Sequence, residues 1–444
     1  MLIYGACVSG GRDLKRIGDG KAAFCATIRD YKRGGDRCQN RDRAAIKGLI
    51  MAIIKSLLDQ DLYKITMQRV YFHRFSNATA RFEFRCRNKN VVFTEEMFAE
   101  IKAEIKALDT LKFEKDEIKF IGDLYYMKDA RGYLEFLRLF RLNSEYIRVD
   151  LQDGRLIIAA EGPIWLASMY EIFVLAIVSE VYFKRVKLGD KTIGRERLQA
   201  KINAIKQESK PFKFSDFGTR RRYSFAWMDE VIATLSKSFD GAVFTGTSNL
   251  YFAKKYNLIP MGTLAHEYLC LGQALDTATI ANSQRFMLQT WADEYRGDLG
   301  IALSDNLGSD YFLRHDFDKY FSLLFSGVRH DSGDPIEWGR KMLRHYEAHR
   351  IDPRSKTFVF SDSLDFPKAF AINREFCDKA SVAFGIGTNL TNDMGCEPLN
   401  IVFKMVSANG RPVAKLSDSP TKLMCEDQNY VEYLKSVIEK GLRG

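Results

Sequence analysis

The segment GTLAHE, residues 262–267, ends a short apolar run and then presents a histidine, His266. The run before it, residues 258–261, predicts a buried strand whose exit places His266 at the strand tip. A histidine there can exchange a proton or accept a phosphoryl group near neutral pH, because its ordinary pKa is ~6.5. A structural histidine is the more common alternative for one such residue. Whether His266 has a chemical or a structural role therefore depends on the segments around it.

GTLAHE closes one of seven similar units. Each unit is a short apolar run that ends in polar or Gly-rich residues and leaves enough chain for a return helix. The units are KFSDFGTR (213–220), AVFTGTSN (242–249), IPMGTLAHE (259–267), GIALSDNLGS (300–309), FSGVRHDSGD (325–334), TFVFSDSLD (357–365) and VAFGIGTNL (382–390). Strand, loop and helix in this order predict parallel strands that close into a barrel, hence an α/β fold. Because the carboxyl ends of barrel strands form the active site, the seven tails should face one cavity.

The chain before these units has a different pattern. DQDLYKITMQRVYFHRF, residues 59–75, predicts a helix that begins near Asp59 or Asp61, with Tyr63 in its first turn. ATARFEFRCR alternates as a strand, and YIRVDLQDGRLIIAAEG predicts a hairpin that turns at Asp153 and Gly154. We therefore expect an α+β domain over residues 51–165, completed by 395–444, and the barrel over 166–394.

Residues 1–50 carry eleven Lys and Arg against five Asp, a surplus that accounts for six of the net charge of +10. The rest of the chain is only mildly basic, so the charge does not predict a general nucleic-acid surface. Patterning begins abruptly at Met51, and we interpret residues 1–50 as a basic extension that is not native to the protein. A transit-like leader is the alternative, which the five Asp and the lack of a clear amphipathic helix weaken.

Composition excludes several classes of protein. With 444 residues, 46% of them hydrophobic and 28% charged, the chain can bury the cores of two globular domains. The eight cysteines form no CxxC pair and predict free thiols in a reducing compartment, the cytoplasm. Residues 162–179 are nearly uncharged, but Glu171 interrupts them, which favours a buried helix over a membrane span.

Two tails carry most of the predicted chemistry. In VRHDSGDP, residues 328–335, Arg329 can neutralise a phosphate or carboxylate, and Asp331 can hold ribose hydroxyls or Mg²⁺. Asp334 suits the cap of a helix that begins near Pro335. In FGIGTNL, residues 384–390, small residues and free backbone N–H groups suit a phosphate ester. Asp362 and the aromatic Phe217 extend the same rim, beside three arginines of which one or two are expected to bind a ligand.

DLYKITM, FGTRRR, GTSN, GTLAHE, VRHDSGDP, FSDSLD and FGIGTNL, in this order over residues 56–395, resemble the motif series of the nicotinate phosphoribosyltransferases. The resemblance implies a type II phosphoribosyltransferase fold, in which an α/β sandwich domain joins an irregular, incomplete α/β barrel. It also implies synthesis of nicotinate mononucleotide and diphosphate from nicotinate and 5-phosphoribosyl 1-diphosphate. The implied reaction is coupled to ATP hydrolysis, uses Mg²⁺ and belongs to NAD biosynthesis.

The resemblance also implies roles for single residues. His266 corresponds to the phosphorylated histidine, and Tyr63 and Phe217 to the aromatics that hold the pyridine ring. The positions around the base, the ribose and the phosphate are Arg220, Arg329, Asp331, Asp362, Gly385, Gly387 and Thr388. A neutral pyridine nitrogen is already a nucleophile, so no strong general base is required. The exact Mg²⁺ ligands remain open.

Ser248 bears on which base is used. The related nicotinamide enzyme has an aspartate at the position that we align with Ser248, which would repel a carboxylate, whereas a hydroxyl can donate to one. We therefore expect nicotinate as substrate, with nicotinamide phosphoribosyltransferase as the alternative. A non-catalytic protein that binds nucleic acid through residues 1–50 is an alternative of another class. The expected partners are small-molecule substrates, without nucleic acid or membrane, and a homodimer is compatible with the resemblance.

Overall fold

The computed structural model describes residues 52–419, 422–423, 425 and 427–443. The basic segment of residues 1–50 lies outside the described residues, and so do Cys7, Cys25 and Cys38. The interpretation of that segment therefore stays a prediction.

The described strands form one antiparallel and one parallel sheet. In chain order, β1–β12 are Thr79–Cys86, Ile147–Gln152, Arg155–Pro163, Phe214–Asp216, Phe244–Thr247, Ile259–Pro260, Ile301–Leu303, Gly327–His330, Thr357–Phe360, Ser381–Ile386, Ile401–Ala408 and Arg411–Pro412. The antiparallel sheet has the order β12-β11-β1-β3-β2 and the parallel sheet the order β6-β5-β4-β10-β9-β8-β7. Strand β11 enters the antiparallel sheet from the far end of the chain, with Phe84 opposite Phe403.

The parallel sheet is an incomplete barrel. β10 pairs with β4, so the strands run on from β7 through β10 to β4 and β6. β6 and β7 are consecutive in the chain, yet each is an edge of the sheet, and the curve stays open between them. The chain that links β6 to β7 contains GTLAHE. The α/β fold predicted from the repeated units is confirmed, and every predicted unit contributes one strand.

Helices cover the sheets and connect their strands. In chain order, α1–α17 are Leu62–Arg74, Glu95–Ala107, Lys115–Asp123, Arg131–Leu139, Ile164–Ala167, Tyr170–Val186, Lys191–Gln207, Phe225–Ser238, Leu250–Tyr256, His266–Leu271, Ser283–Tyr295, Ser309–Tyr311, Lys319–Leu324, Pro335–Ala348, Phe366–Phe376, Thr388–Thr391 and Gln428–Arg443. The stretch Ile164–Val186 is apolar and long enough to cross a membrane, but 89% of its most apolar window is buried in the fold. It lies in the protein core, as we predicted from the interruption of the apolar stretch by Glu171.

Local sequence signals explain several element boundaries. The β2–β3 hairpin turns at Asp153 and Gly154, with φ of 50° and 72°, where glycine and aspartate adopt left-handed backbone most easily. Helix α14 begins with Pro335, and the Asp334 carboxylate accepts the backbone N–H of Glu337 at 2.7 Å. The predicted hairpin and cap are thus confirmed.

One local prediction is wrong. The run before GTLAHE is not a buried strand, because β6 is a two-residue edge strand and Ile259 is 64% exposed. His266 does not stand at its tip but begins helix α10. Among the described strands, β6 has a neighbour on one side only, so its other side is open to solvent. The apolar composition of the run does not distinguish such an edge strand from a buried strand.

Candidate active site

A single cavity collects residues from both sheets. The empty space that these residues enclose is about 710 Å³, which includes space open to solvent at the mouth. The parallel sheet contributes Arg329 and Asp331 at the end of β8, while β11 of the antiparallel sheet contributes Phe403, Lys404 and Met405. The remaining lining residues are Tyr63, Glu171, Arg220, Ala265, His266, Glu267, Cys270, Lys415 and Lys422. Five of the predicted site residues therefore meet in one cavity: His266, Arg329, Asp331, Tyr63 and Arg220.

His266 is held by a carboxylate that the sequence analysis did not select. Its Nε2 lies 2.7 Å from Asp305 Oδ1, and its Nδ1 lies 3.9 Å from Asp331 Oδ2. Burial lowers the pKa of His266 to about 4, and Lys415 adds to this, while Asp305 opposes it. The imidazole is therefore neutral at pH 7. Because an ionised carboxylate only accepts, Nε2 carries the proton and the lone pair is on Nδ1.

Asp305 is itself fixed from two further directions. Its Oδ2 accepts the Ser332 hydroxyl at 2.5 Å and lies 2.7 Å from Lys415 Nζ. Burial acts to raise the pKa of Asp305, but His266 and Lys415 outweigh it and lower that pKa. Asp305 therefore stays ionised and orients the His266 ring.

Four cationic side chains surround Asp331. Arg329 Nη2 lies 3.1 Å from Asp331 Oδ1, and Lys415 Nζ lies 3.5 Å from Asp331 Oδ2. Lys422 donates to the Asp331 carbonyl oxygen at 2.5 Å. The Lys404 ammonium has neither an ion pair nor a hydrogen bond with any other described residue, and burial, helped by Arg220 and Lys415 and opposed by Glu171, lowers its pKa to about 8. This end of the cavity is built for a multiply charged anion.

The other end of the cavity presents an aromatic ring and an arginine. The Tyr63 hydroxyl and Arg220 Nη1 both lie 3.4 Å from the Glu171 carboxylate. Tyr63, Glu171 and nearby acidic groups raise the pKa of Arg220, so its guanidinium is charged. A flat ring with a negative substituent suits this end.

The other predicted residues lie around the cavity without lining it. Phe217 packs against Arg329, which lines the cavity: the Arg329 guanidinium carbon is 5.8 Å from the Phe217 ring centroid. Gly385 lies under Phe217, where an added Cβ would be 2.4 Å from the ring. Gly387 and Thr388 follow, at the end of β10 and the start of α16. Their predicted role as a phosphate cradle stays a prediction.

Asp362 and Ser248 are engaged with protein partners. Asp362 Oδ1 pairs with Lys422 Nζ at 2.6 Å and so lies at the anionic-ligand end. The Ser248 hydroxyl donates to Asp61 Oδ1 at 2.7 Å, and both side chains are buried. The Ser248 hydroxyl, which we expected to donate a hydrogen bond to the carboxylate of the base, thus donates to Asp61 instead. Burial raises the pKa of Asp61, and the Arg220 guanidinium acts against this rise.

Two sequence profiles match the chain over most of its length. Residues 58–179 match the nicotinate phosphoribosyltransferase N-terminal domain, and residues 212–442 match the nicotinate phosphoribosyltransferase (NAPRTase) family. The chain belongs to the nicotinate phosphoribosyltransferase family. The sequence resemblance is thereby confirmed.

Relatives and solved structures agree with this assignment. A nicotinate phosphoribosyltransferase of Ralstonia nicotianae is 49% identical over 391 residues, which are 87% of this chain and 99% of that protein. One of Burkholderia ambifaria is 50% identical over 392 residues, 87% of this chain and 96% of that protein. The crystal structure of nicotinate phosphoribosyltransferase from Vibrio cholerae superposes with a TM-score of 0.83 at 36% identity, covering 87% of this chain and 94% of that one.

The site of this nicotinate phosphoribosyltransferase family member contains residues that sequence reasoning missed. They are Lys64, Glu171, Glu267, Asp305, Lys404, Lys415 and Lys422. Some carried a signal: Asp305 stands in the tail of a predicted strand, and Glu171 is a lone acid in an apolar helix. Lys404 interrupts an otherwise apolar strand, where a cation needs a polar neighbour. Lys415 and Lys422 carried none.

Proposed function

We propose that the protein transfers the phosphoribosyl group of 5-phosphoribosyl 1-diphosphate to nicotinate, forming nicotinate mononucleotide and diphosphate, and couples this to ATP hydrolysis. The observation that carries the proposal is the single cavity, in which an oriented, neutral His266 lies beside a cluster of cations and opposite an aromatic and arginine pocket. His266 suits the phosphates of ATP, the cluster of cations suits the leaving diphosphate, and the aromatic and arginine pocket suits the acidic base.

The base end favours an acid. Arg220 is charged and holds Glu171 only at 3.4 Å, a contact that a nicotinate carboxylate can replace with two parallel hydrogen bonds. The Tyr63 ring lines the same end, and the Phe217 ring centroid lies 5.8 Å from the guanidinium carbon of Arg329, another residue of the cavity. An amide gives Arg220 no charge to pair with. Nicotinate is therefore preferred over nicotinamide by charge.

The transfer step needs stabilisation of negative charge at the leaving group. The ring nitrogen of nicotinate forms a bond to the anomeric carbon as the bond from that carbon to diphosphate oxygen breaks, and the electron pair leaves with diphosphate. Lys404, Lys415, Lys422 and Arg329 are preorganised around the place where that charge develops. Asp331 faces the same space and suits the ribose hydroxyls.

The donors also fit Mg²⁺. Carboxylate oxygens of Asp305 and Asp331 and a nitrogen of His266 lie within 4.8 Å of one another. Asp305 is 1% exposed and Asp331 is 23% exposed, so Asp331 is the residue that would hold a Mg²⁺ ion arriving on the substrate phosphates. Mg²⁺ usually binds through one or two carboxylates plus phosphate oxygens, and it supplies positive charge at the leaving diphosphate.

His266 links ATP to the reaction. The Nδ1 lone pair of His266 attacks the γ-phosphorus of ATP, the bond from that phosphorus to the ADP oxygen breaks and its electron pair leaves with ADP, while the proton stays on Nε2 and keeps its hydrogen bond to Asp305. The ring then carries positive charge, which the Asp305 carboxylate stabilises. Hydrolysis of the phosphohistidine restores neutral His266 and completes the cycle.

The setting of the reaction follows from two features. We propose a cytoplasmic location, which the free thiols of Cys86, Cys270, Cys377 and Cys396 support. The open edges of the barrel at β6 and β7 offer a surface to a second copy, so we propose a homodimer, which light scattering after gel filtration tests.

The experiment that tests the function measures nicotinate mononucleotide from nicotinate and 5-phosphoribosyl 1-diphosphate with Mg²⁺, with and without ATP. The parent and His266→Ala are compared, and nicotinamide replaces nicotinate in a parallel series. Product from nicotinate that ATP stimulates in the parent but not in the variant supports the proposal. Equal rates with and without ATP in the parent remove the coupling, and product from nicotinamide alone reverses the choice of base.

A further inference from the structure

Lys64 on α1 lies behind the cavity between two carboxylates. Its Nζ is 2.7 Å from Glu171 Oε2 and 2.6 Å from Glu267 Oε2. The three side chains are 0%, 4% and 7% exposed, so water screens these contacts little. One ammonium therefore serves two carboxylates that compete for it.

The two carboxylates contact different groups of the cavity. Glu171 also contacts the Tyr63 hydroxyl and Arg220, the groups of the base end. Glu267 follows His266 directly in the first turn of α10. The Glu171–Lys64–Glu267 bridge is thus a continuous chain of contacts from the base end to the phosphorylatable histidine.

The two carboxylates of the bridge differ in their pKa values and in their hydrogen bonding. Burial acts to raise the pKa of Glu171, but Lys64 and Arg220 outweigh it and lower that pKa to about 2. Burial raises the pKa of Glu267 to about 7, and Glu171 adds to this against Lys64. Glu267 Oε1 is buried and has no hydrogen-bond partner among the described residues. Glu267 is the member whose charge and contacts respond most easily to a change nearby.

We propose that Lys64 is a positioning residue that couples nicotinate binding at Arg220 to phosphorylation of His266. This inference rests on the proposed function. A nicotinate carboxylate on Arg220 withdraws that guanidinium from Glu171, which then holds Lys64 more strongly at the expense of Glu267. A phosphoryl group on His266 acts from the other end, since its negative charge repels the Glu267 carboxylate. Each event changes the same shared contact, so their effects on binding are reciprocal.

The test removes the bridge without changing the net charge. The double variant Lys64→Met, Glu267→Gln loses one positive and one negative group of similar size. Arg69→Met, Glu294→Gln is the matched control: Arg69 also lies on α1, its ion pair of 2.7 Å is buried at 7% and 6% exposure, and neither residue lines the cavity. The dissociation constant of nicotinate is measured by calorimetry with and without ATP, in the absence of 5-phosphoribosyl 1-diphosphate. Phosphohistidine is quantified by ³¹P NMR.

In the parent and the control we expect ATP to change the dissociation constant of nicotinate by about 5- to 150-fold, the ordinary size of such a coupling. In the double variant we expect the ratio to fall to about one while His266 is still phosphorylated. An unchanged ratio in a folded double variant overturns the inference. If that variant does not fold, Glu267→Gln alone decides by the same ratio.

The parent distinguishes this inference from the function on which it rests. A parent that forms no nicotinate mononucleotide refutes the proposed function. A parent that forms product but shows no ATP effect on binding refutes the coupling and the role of Lys64 together. A parent with coupling that the double variant retains refutes the role of Lys64 alone.

Discussion

Asp305→Asn is the sharpest test of how the site activates His266. The substitution keeps the size of the side chain but removes the charge that faces His266 Nε2 at 2.7 Å. An amide oxygen still accepts the Nε2 proton, so the ring keeps its tautomer. What is lost is the negative charge that stabilises the ring once Nδ1 bears a phosphoryl group.

The magnitude follows from the contacts. A hydrogen bond to a charged group contributes roughly 1.5–3 kcal/mol, and 1.4 kcal/mol is a factor of about ten. We therefore expect phosphorylation of His266 by ATP to slow about 10- to 150-fold in Asp305→Asn. Ser332→Ala leaves the Asp305 charge in place and removes only a donor to its other oxygen, so it should slow the reaction less than Asp305→Asn does.

The assay is acid-labile incorporation of phosphate from γ-labelled ATP in a rapid-quench time course. Asp316→Asn is the matched control, because Asp316 is buried and lies 3.0 Å from His315 but does not line the cavity. Its rate should equal that of the parent. If Asp305→Asn is phosphorylated within threefold of the parent rate, Asp305 does not stabilise the reacting ring and our reading of the His266 contacts is refuted.

Three further predictions concern the histidine and the base end. Because burial lowers the pKa of His266 to about 4, an NMR titration of its ring should show a midpoint near pH 4, and ³¹P–¹⁵N NMR should find the phosphoryl group on Nδ1; a midpoint near 6.5 would contradict this. Gly385→Ala places a Cβ 2.4 Å from the Phe217 ring, so the ring must move, and steady-state kinetics should show a higher KM for nicotinate with a smaller change in kcat. Ser248→Asp sets a second buried carboxylate against Asp61, and two such charges repel each other by on the order of 4 kcal/mol at 4 Å. The Tm of the variant should therefore drop at pH 7 and partly recover at pH 5. An unchanged Tm together with unchanged nicotinate kinetics would refute both the contact and its role.

The barrel was predictable because its signals are local. Each strand, tail and helix lies within a short stretch of sequence, and the carboxyl ends of parallel strands must meet at one edge. That rule alone brings Arg329 and Asp331 toward His266. The rule failed at β6, because the same apolar composition fits a buried central strand and an exposed edge strand.

The antiparallel sheet shows the opposite limit. Its strand β11 pairs with β1 across more than three hundred residues, so nothing near Lys404 in the sequence indicates that its ammonium enters the cavity. Lys415 follows from a loop after β12, without any pattern. Glu171 was visible as a lone acid in an apolar helix, but its meaning depends on Lys64 and Arg220, which are distant in sequence. The cations of the site come mainly from such long-range contacts.

Buried polar contacts also fix where the base end stands relative to the barrel. Asp59 accepts Nη1 and Nη2 of Arg222 at 2.6 and 2.8 Å, and both side chains are fully buried. The backbone N–H of Leu62 donates to the Ser248 carbonyl at 2.8 Å, and Asp61 accepts the Ser248 hydroxyl. These contacts join the residues just before α1 to the ends of β4 and β5.

A buried ion pair is a weak source of net stability, since desolvation offsets its attraction, whereas breaking it by removing one partner costs roughly 3–5 kcal/mol. The tether formed by Asp59 and Arg222 therefore acts chiefly on geometry: it tolerates few alternative positions for the start of α1. Tyr63 and Lys64 are the next side chains along that helix, one at the base end and one in the bridge to Glu267. The same tether that places the aromatic ring thus also sets the distance over which the two ends of the cavity can affect each other.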